Sequence, residues 1–189
     1  RRGVGSPEHA DGVDEVTTRH RIAYTHAMIA LVDTNVGRIL SQLEESGERD
    51  NTIIVFTTDH GELLGDHGLW AKGPFFYESL IRLPLIVSVP GGSPARSNSL
   101  LSSVDVVPSL CELVGLPAPD WIDGVSAAGM MRGEGGKVRD ECLVEYRTGY
   151  ERTTEISAHV LVTETEKYVR YRDRQEELTD LREDPTERE

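Results

Sequence analysis

An α/β fold, part of a mainly parallel sheet flanked by helices and followed by a small antiparallel β-rich subdomain, is what three features of this sequence predict. The first is a helical apolar period between Thr17 and Ser46. There Ile22, Ile29, Val32, Val36, Ile39, Leu40 and Leu43 have the spacing of one buried face. The second is the β-branched run Thr52-Ile53-Ile54-Val55-Phe56-Thr57, which suits a strand buried on both faces, as in a parallel sheet. The third is a change of pattern beyond Gly136, where short apolar runs alternate with polar turns.

Gly47 is a natural stop for the long helix. A second buried strand is expected at Leu85-Ile86-Val87-Ser88-Val89, ended by Pro90-Gly91-Gly92, which cannot easily continue a ladder. The connection from Asp59 to Leu83 is too long to be a plain turn and too rich in aromatic residues to be disordered, so a functional loop is expected there. Val104 to Gly115 reads as a short helix with Asp105 near its start, Pro108 in its first turn and Gly115 at its end. Asp123 to Lys137 carries Gly124, Gly129, Gly133, Gly135 and Gly136 and reads as a surface linker. The expected boundary follows: residues 1–136 form part of a catalytic α/β domain, and residues 137–189 form the antiparallel subdomain with its tail. Strands are expected at Cys142–Tyr146, Ala158–Val162 and Lys167–Tyr171, and irregular structure from Asp180 to Pro185.

At 189 residues the chain can bury a real core, as one domain or a domain with a small appendage. Its net charge of −13 disfavours nucleic acid as a partner, because phosphate backbones are held by clustered Lys and Arg. No apolar run approaches the roughly 20 residues that cross a bilayer. Cys111 and Cys142 fall in a helix and a strand, where buried free thiols are expected rather than a disulfide. The opening Arg1-Arg2-Gly3-Val4-Gly5-Ser6-Pro7 has no initiator Met and no apolar stretch after it, so it reads as a cut inside a longer chain.

Chemistry concentrates between Thr57 and Pro74. Asp59 and His60 follow the first predicted strand, and ligands of open α/β sheets bind beyond the carboxyl ends of strands. A carboxylate and an imidazole at a sharp turn can reach one divalent cation, with Gly61 letting the backbone bend away. Two ligands are too few for a metal site, so other donors would have to come from elsewhere. Lys72 could return to the same place, where its compact ammonium would hold an oxyanion, if Trp70, Phe75, Phe76 and Tyr77 anchor the loop. The same residues also fit a plain Asx turn and a solvated lysine, and Asp66-His67-Gly68 fits a second turn. His9, His20 and His26 read as leader and helix-surface residues, His159 as a sheet residue, and Cys111 as a packing thiol.

The run Asp59-His60-Gly61-Glu62, Gly65-Asp66-His67-Gly68-Leu69-Trp70 and Lys72-Gly73-Pro74, continued by Tyr77-Glu78, Arg82-Leu83-Pro84-Leu85-Ile86 and Pro90-Gly91, resembles the type I sulfatases of the alkaline phosphatase superfamily. Val36-Gly37-Arg38-Ile39-Leu40, Val104-Asp105-Val106-Val107-Pro108-Ser109-Leu110, Lys167-Tyr168-Val169 and Glu177-Leu178-Thr179-Asp180-Leu181 with Asp184-Pro185 extend the likeness over about Tyr24 to Pro185. The resemblance implies an alkaline phosphatase-like fold and a sulfuric ester hydrolase. In it Asp59 and His60 bind calcium (manganese or another divalent cation being the alternative), Lys72 contacts the sulfate ester and His67 gives support. It also implies a formylglycine nucleophile made within a Cys/Ser-x-Pro-x-Arg motif, and no such motif occurs here. The chain is therefore expected to be a carboxy-terminal portion, inactive alone, of an enzyme acting on a small sulfate ester or a sulfated sugar. A phosphonate or phosphate mono- or diester hydrolase of the same superfamily is the alternative enzyme, and a noncatalytic sulfatase-like binding module the alternative of another class. A severed sheet would also favour self-association into a homo-oligomer.

Overall fold

The computed structural model describes residues 14–147 and 157–188; His9 and the leader sequence lie outside them. The chain forms two compact units, one of Arg1–Gly73 with Ser79–Gly91 and one of Pro74–Glu78 with Gly92–Glu189. Gly136, the expected boundary, lies within the second.

In the first unit, helix α1 (Glu15–Glu45) starts where the Asp14 carboxylate accepts the Thr17 N–H at 2.9 Å. It ends at Gly47, whose φ of 76° lets the Gly47 and Glu48 amides reach back to the Glu44 and Leu43 carbonyls, a Schellman closure. The apolar face predicted for burial is only partly covered. Ile22, Val36, Leu40 and Leu43 are half-buried, whereas Ile29, Val32 and Ile39 stay exposed. Periodicity fixes which face of a helix is apolar, but burial needs a second layer, and the described residues supply only the edge of one.

Strand β1 (Ile54–Thr57) pairs with β2 (Leu85–Ser88), Val55 opposite Val87 and Thr57 opposite Leu85. The pairing is antiparallel, where the helix-strand order taken alone suggests a parallel neighbour. A parallel partner needs a crossover returning the chain to the strand's starting end. The connection here holds turns and the one-turn helix α2 (Glu78–Ile81), and brings the chain back from the end it left. The strands are also not buried on both faces, since Phe56 and Ile86 are exposed.

The second unit is built around helix α3 (Val106–Leu113), helix α4 (Ala128–Met131) and a four-stranded antiparallel sheet in the order β3 (Glu141–Arg147), β4 (Ser157–Thr163), β5 (Glu166–Tyr171) and β6 (Glu176–Asp180). Register places Cys142, Val162 and Lys167 in one row, Val144, Val160 and Val169 in the next, and Tyr146, Ala158 and Tyr171 in a third. These rows make the inner face, with Val160, Ala158 and Val169 buried, while Leu143, His159 and Arg170 alternate outward. His159 is the sheet residue expected of it, 3.2 Å from Glu145 on the neighbouring strand. Strand β6 escapes a reading by apolar alternation, because Leu178 is its one large apolar side chain and is exposed. It forms through backbone pairing with β5, Tyr168 opposite Leu178.

The stretch from Asp123 to Lys137 is a packed segment rather than a surface linker. Ala127 and Ala128 are buried, and the Ala127 N–H donates to the buried Ser109 hydroxyl at 2.8 Å. Gly124 and Gly133 lie against the Val104 and Ser93 carbonyls, so closely that a Cβ would fall 2.0 Å and 2.3 Å from those oxygens. Glycine here serves close approach of backbones, not looseness.

Both cysteines are free thiols, Cys142 buried and Cys111 half-buried. Burial pushes the Cys142 thiol up, with Arg139 pulling it down and Asp105 adding to the rise. A thiol reagent is expected to modify Cys111 first, with Cys142 reacting only after unfolding; mass spectrometry of a labelling time course checks the order. Among the described residues no helix is long and apolar enough to cross a membrane.

Candidate functional site

Strand β1 ends at Thr57, and Asp59 and His60 follow it at once. The Asp59 Oδ1 accepts the His60 N–H at 3.0 Å and the Thr58 hydroxyl at 3.4 Å. The His60 amide, aided by Asp59's own, by the His60 ring and by Thr58, holds this exposed carboxyl below its ordinary value. Its charge is therefore secure at neutral pH.

His60 is oriented by its neighbour. Its Nδ1 lies 2.8 Å from the Gly61 carbonyl, which can only accept, so Nδ1 carries the hydrogen and Nε2 presents its lone pair. That nitrogen has the Lys72 Nζ at 2.7 Å and the Asp59 Oδ2 at 3.6 Å. Sequence reasoning placed a carboxylate, an imidazole and an ammonium near one point, and the structure brings the three side chains together about His60 Nε2.

The loop achieves this through backbone rungs. The Leu63 N–H donates to the Ala71 carbonyl at 3.1 Å and the Gly65 N–H to Leu69 at 2.8 Å, folding residues 63–71 back on themselves so that Lys72 returns beside its starting point. Left-handed backbone at Leu64, Gly65, His67, Gly68 and Ala71 makes the reversal tight. Leu63, Leu69, Trp70 and Leu80 fill the space beneath, each at most 8% exposed, and the Arg21 guanidinium sits 5.1 Å from the Trp70 ring. Trp70 is thus the anchor expected of it, whereas Phe75, Phe76 and Tyr77 belong to the second unit. His67 sits on the exposed turn Asp66–Gly68.

Gly61 has a different reason from the predicted bend. Its N–H donates to the Leu80 carbonyl at 2.9 Å, and a Cβ there would lie 1.9 Å from the Ser79 carbonyl oxygen. The backbone after the Asp-His pair is therefore pressed against the segment leading into β2. Sequence reasoning missed Ser79 and Leu80 as supports because they act through main-chain atoms, which leave no side-chain signature. The glycine itself was the one available signal.

Among the described residues no three His, Cys, Asp or Glu side chains gather as a metal cluster. Asp59 and His60 fit part of a shell: one ionised carboxylate and one imidazole whose proton is committed to a carbonyl, the second-sphere contact that metal-bound histidines make. The Lys72 ammonium sits as a cation against the unprotonated Nε2. The arrangement can attract an anion to Lys72 and a cation to the Asp59–His60 pair.

The sulfatase family model matches residues 6–116, and the model described as N-sulphoglucosamine sulphohydrolase, C-terminal, matches residues 65–189. A choline-sulfatase of Rhizobium meliloti is 36% identical over 186 residues, covering 95% of this chain and 34% of that protein. A solved 2-O GAG sulfatase superposes with a TM-score of 0.87 at 30% identity, over 95% of this chain and 40% of that one. Another structure, solved in complex with its substrate D-glucosamine-2-N,6-O-disulfate, gives a TM-score of 0.70 at 32% identity, over 84% and 33%. The chain spans about a third of the length of the curated relatives it matches.

Proposed function

Because the chain belongs to the sulfatase family, we propose that it serves as the carboxy-terminal portion of a sulfuric ester hydrolase, with Asp59 and His60 giving two ligands of a divalent-metal shell and Lys72 binding the sulfate group. The 2.7 Å approach of Lys72 Nζ to His60 Nε2 carries this reading, since it puts an oxyanion-binding cation beside the metal-binding pair. Calcium is the ion the family resemblance implies, and when bound it would polarise the ester oxygen and hold the nucleophile. The described residues do the rest. Asp59 keeps its charge, the Gly61 carbonyl holds the His60 ring with Nε2 outward, and the loop on Trp70 delivers Lys72 to the developing negative charge. Sulfate esters of small molecules or sugars are the proposed substrates, supported by the choline-sulfatase relative and the disulfated glucosamine complex.

In the full-length protein, Lys72→Ala is expected to lower kcat/KM for an aryl sulfate by about 10²–10³-fold, the usual effect of removing one charge-stabilising donor. Turnover within threefold of the wild type would remove Lys72 from the site. Assay of the matched phosphonate monoester separates the two hydrolase readings, which differ in the preferred anion. The 189-residue chain alone is expected to show no turnover and only weak calcium binding by calorimetry, since two donors are far short of the roughly 6–8 that calcium takes.

A further inference from the structure

Among the described residues the buried acidic and basic side chains are Asp105, Lys167 and Glu187. Asp105 is matched by Arg139. Lys167 and Glu187, 3% and 8% exposed, are matched by each other, and no role assigned above uses them.

Their contacts reach one short segment of backbone. Lys167 Nζ pairs with Glu187 Oε1 and donates to the Phe76 carbonyl, while Glu187 Oε2 accepts the Glu78 N–H at 2.7 Å. Lys167 also lies 5.9 Å from the Tyr77 ring. Phe76 is held from the side by Tyr146 and Tyr171, with ring centroids at 6.0 Å and 6.1 Å. Glu187 reaches its place with φ at 56°, a left-handed conformation that a non-glycine residue holds only when its surroundings impose it. Burial draws Lys167 down to about 8 against the upward pull of Glu78 and Glu177, so the pair is costly to keep charged.

A buried ion pair is a poor source of stability, since apolar side chains of similar volume serve as well. This one instead grips main-chain atoms, a carbonyl and an amide two residues apart, and so holds the path of residues 76–78 through their backbone. That segment is separated from Lys72 by Gly73 alone.

We propose that Lys167 and Glu187 are positioning residues for the hydrolysis, a buried clasp on residues 76–78 that fixes the peptide leaving Lys72. The inference rests on the role proposed for Lys72. It is tested in the full-length protein with Glu187→Gln and with the apolar double variant Lys167→Met/Glu187→Leu, which keeps the volume filled should the single change unfold. Amide exchange at residues 75–78 is expected to speed up at least about tenfold, with exchange in β1 unchanged. Turnover of an aryl sulfate is expected to fall in kcat by about 10–100-fold with KM nearly constant, the response to a misplaced catalytic group. In a Lys72→Ala background the same substitutions are expected to add less than about threefold, because they act through that lysine.

Unchanged exchange at residues 75–78 would overturn the clasp. A kcat loss of equal size with and without Lys72 would overturn the positioning role and leave a purely structural pair. Failure of the Lys72 reading shows separately, as a Lys72→Ala enzyme of undiminished turnover, and overturns the inference even where exchange responds.

Discussion

Alanine at position 61 is expected to disable the site while changing nothing in its polar side chains. The added Cβ would lie 1.9 Å from the Ser79 oxygen, 2.9 Å from the Ser79 carbonyl carbon and 3.1 Å from the Leu80 Cα, all main-chain atoms that cannot rotate away. Relief requires the Asp59–Gly61 turn to part from the segment leading into β2, breaking the 2.9 Å bond from the Gly61 N–H to Leu80. Overpacking of this kind costs about 1–3 kcal/mol. The larger loss is geometric: the Gly61 carbonyl holds the His60 ring, and that ring meets Lys72, so one displaced peptide misplaces both groups. A shift of about 1 Å can cost 10²-fold in rate. We therefore expect kcat/KM of the full-length protein to fall at least that far, with a modest drop in melting temperature. Gly37→Ala is the control, because it lies on exposed helix with nothing within 4 Å of the added Cβ, and is expected to stabilise by up to about 1 kcal/mol. Equal activity of the two variants would show that the close approach at Gly61 has no bearing on the site.

What the sequence made legible follows the range of the forces involved. The α1 helix, its Gly47 stop, the β1 run and the alternating strands β3 to β5 are written in local period and turn chemistry, and the Asp59-His60 pair was placed because it ends a recognisable strand. The antiparallel partnership of β1 and β2 was not legible, because strand direction depends on a 27-residue connection, residues 58–84, whose path is set by its own packing. The partial exposure of α1 was hidden for a similar reason, since an apolar stripe records a need for cover and not its presence. Glycine misled in both directions: it marked flexibility at Asp123–Lys137, where Gly124 and Gly133 are tight contacts, and a bend at Gly61, where two backbones touch. The pairing of Lys167 with Glu187 left no trace. A lysine in a strand and a glutamate near the end of a chain carry the pattern of surface residues, and only their convergence, twenty positions apart, distinguishes them.

Asp105 carries the second large effect, on stability. Its side chain is fully buried and accepts four hydrogen bonds: from the Ser102 and Val125 amides at 2.8 Å and 2.7 Å, and from Arg139 Nε and Nη2 at 2.7 Å and 2.5 Å. Its main-chain carbonyl accepts the Ser109 hydroxyl, which in turn accepts the Ala127 amide, so one residue ties α3 to the strand-entry segment and to the glycine-rich stretch. Asp105→Asn preserves shape but offers one acceptor oxygen where two are used, and turns an N–H pair toward existing donors. Breaking a buried pair in this way costs about 3–5 kcal/mol, as the Arg139 charge is left uncompensated. The pH dependence gives the sign. Burial alone would raise the Asp105 carboxyl, but the Arg139, Val125 and Ser102 donors together hold it below the ordinary 3.8. A depressed carboxyl contributes stability that is fully present above its unfolded value and is lost as pH falls through the folded one. Wild-type unfolding free energy is thus expected to decline with acid below about pH 4, and Asp105→Asn to be less stable at neutral pH and flatter across that acid window. Urea unfolding measured from pH 7 downward checks both, and an asparagine variant with the wild-type acid slope would assign that slope to other carboxylates.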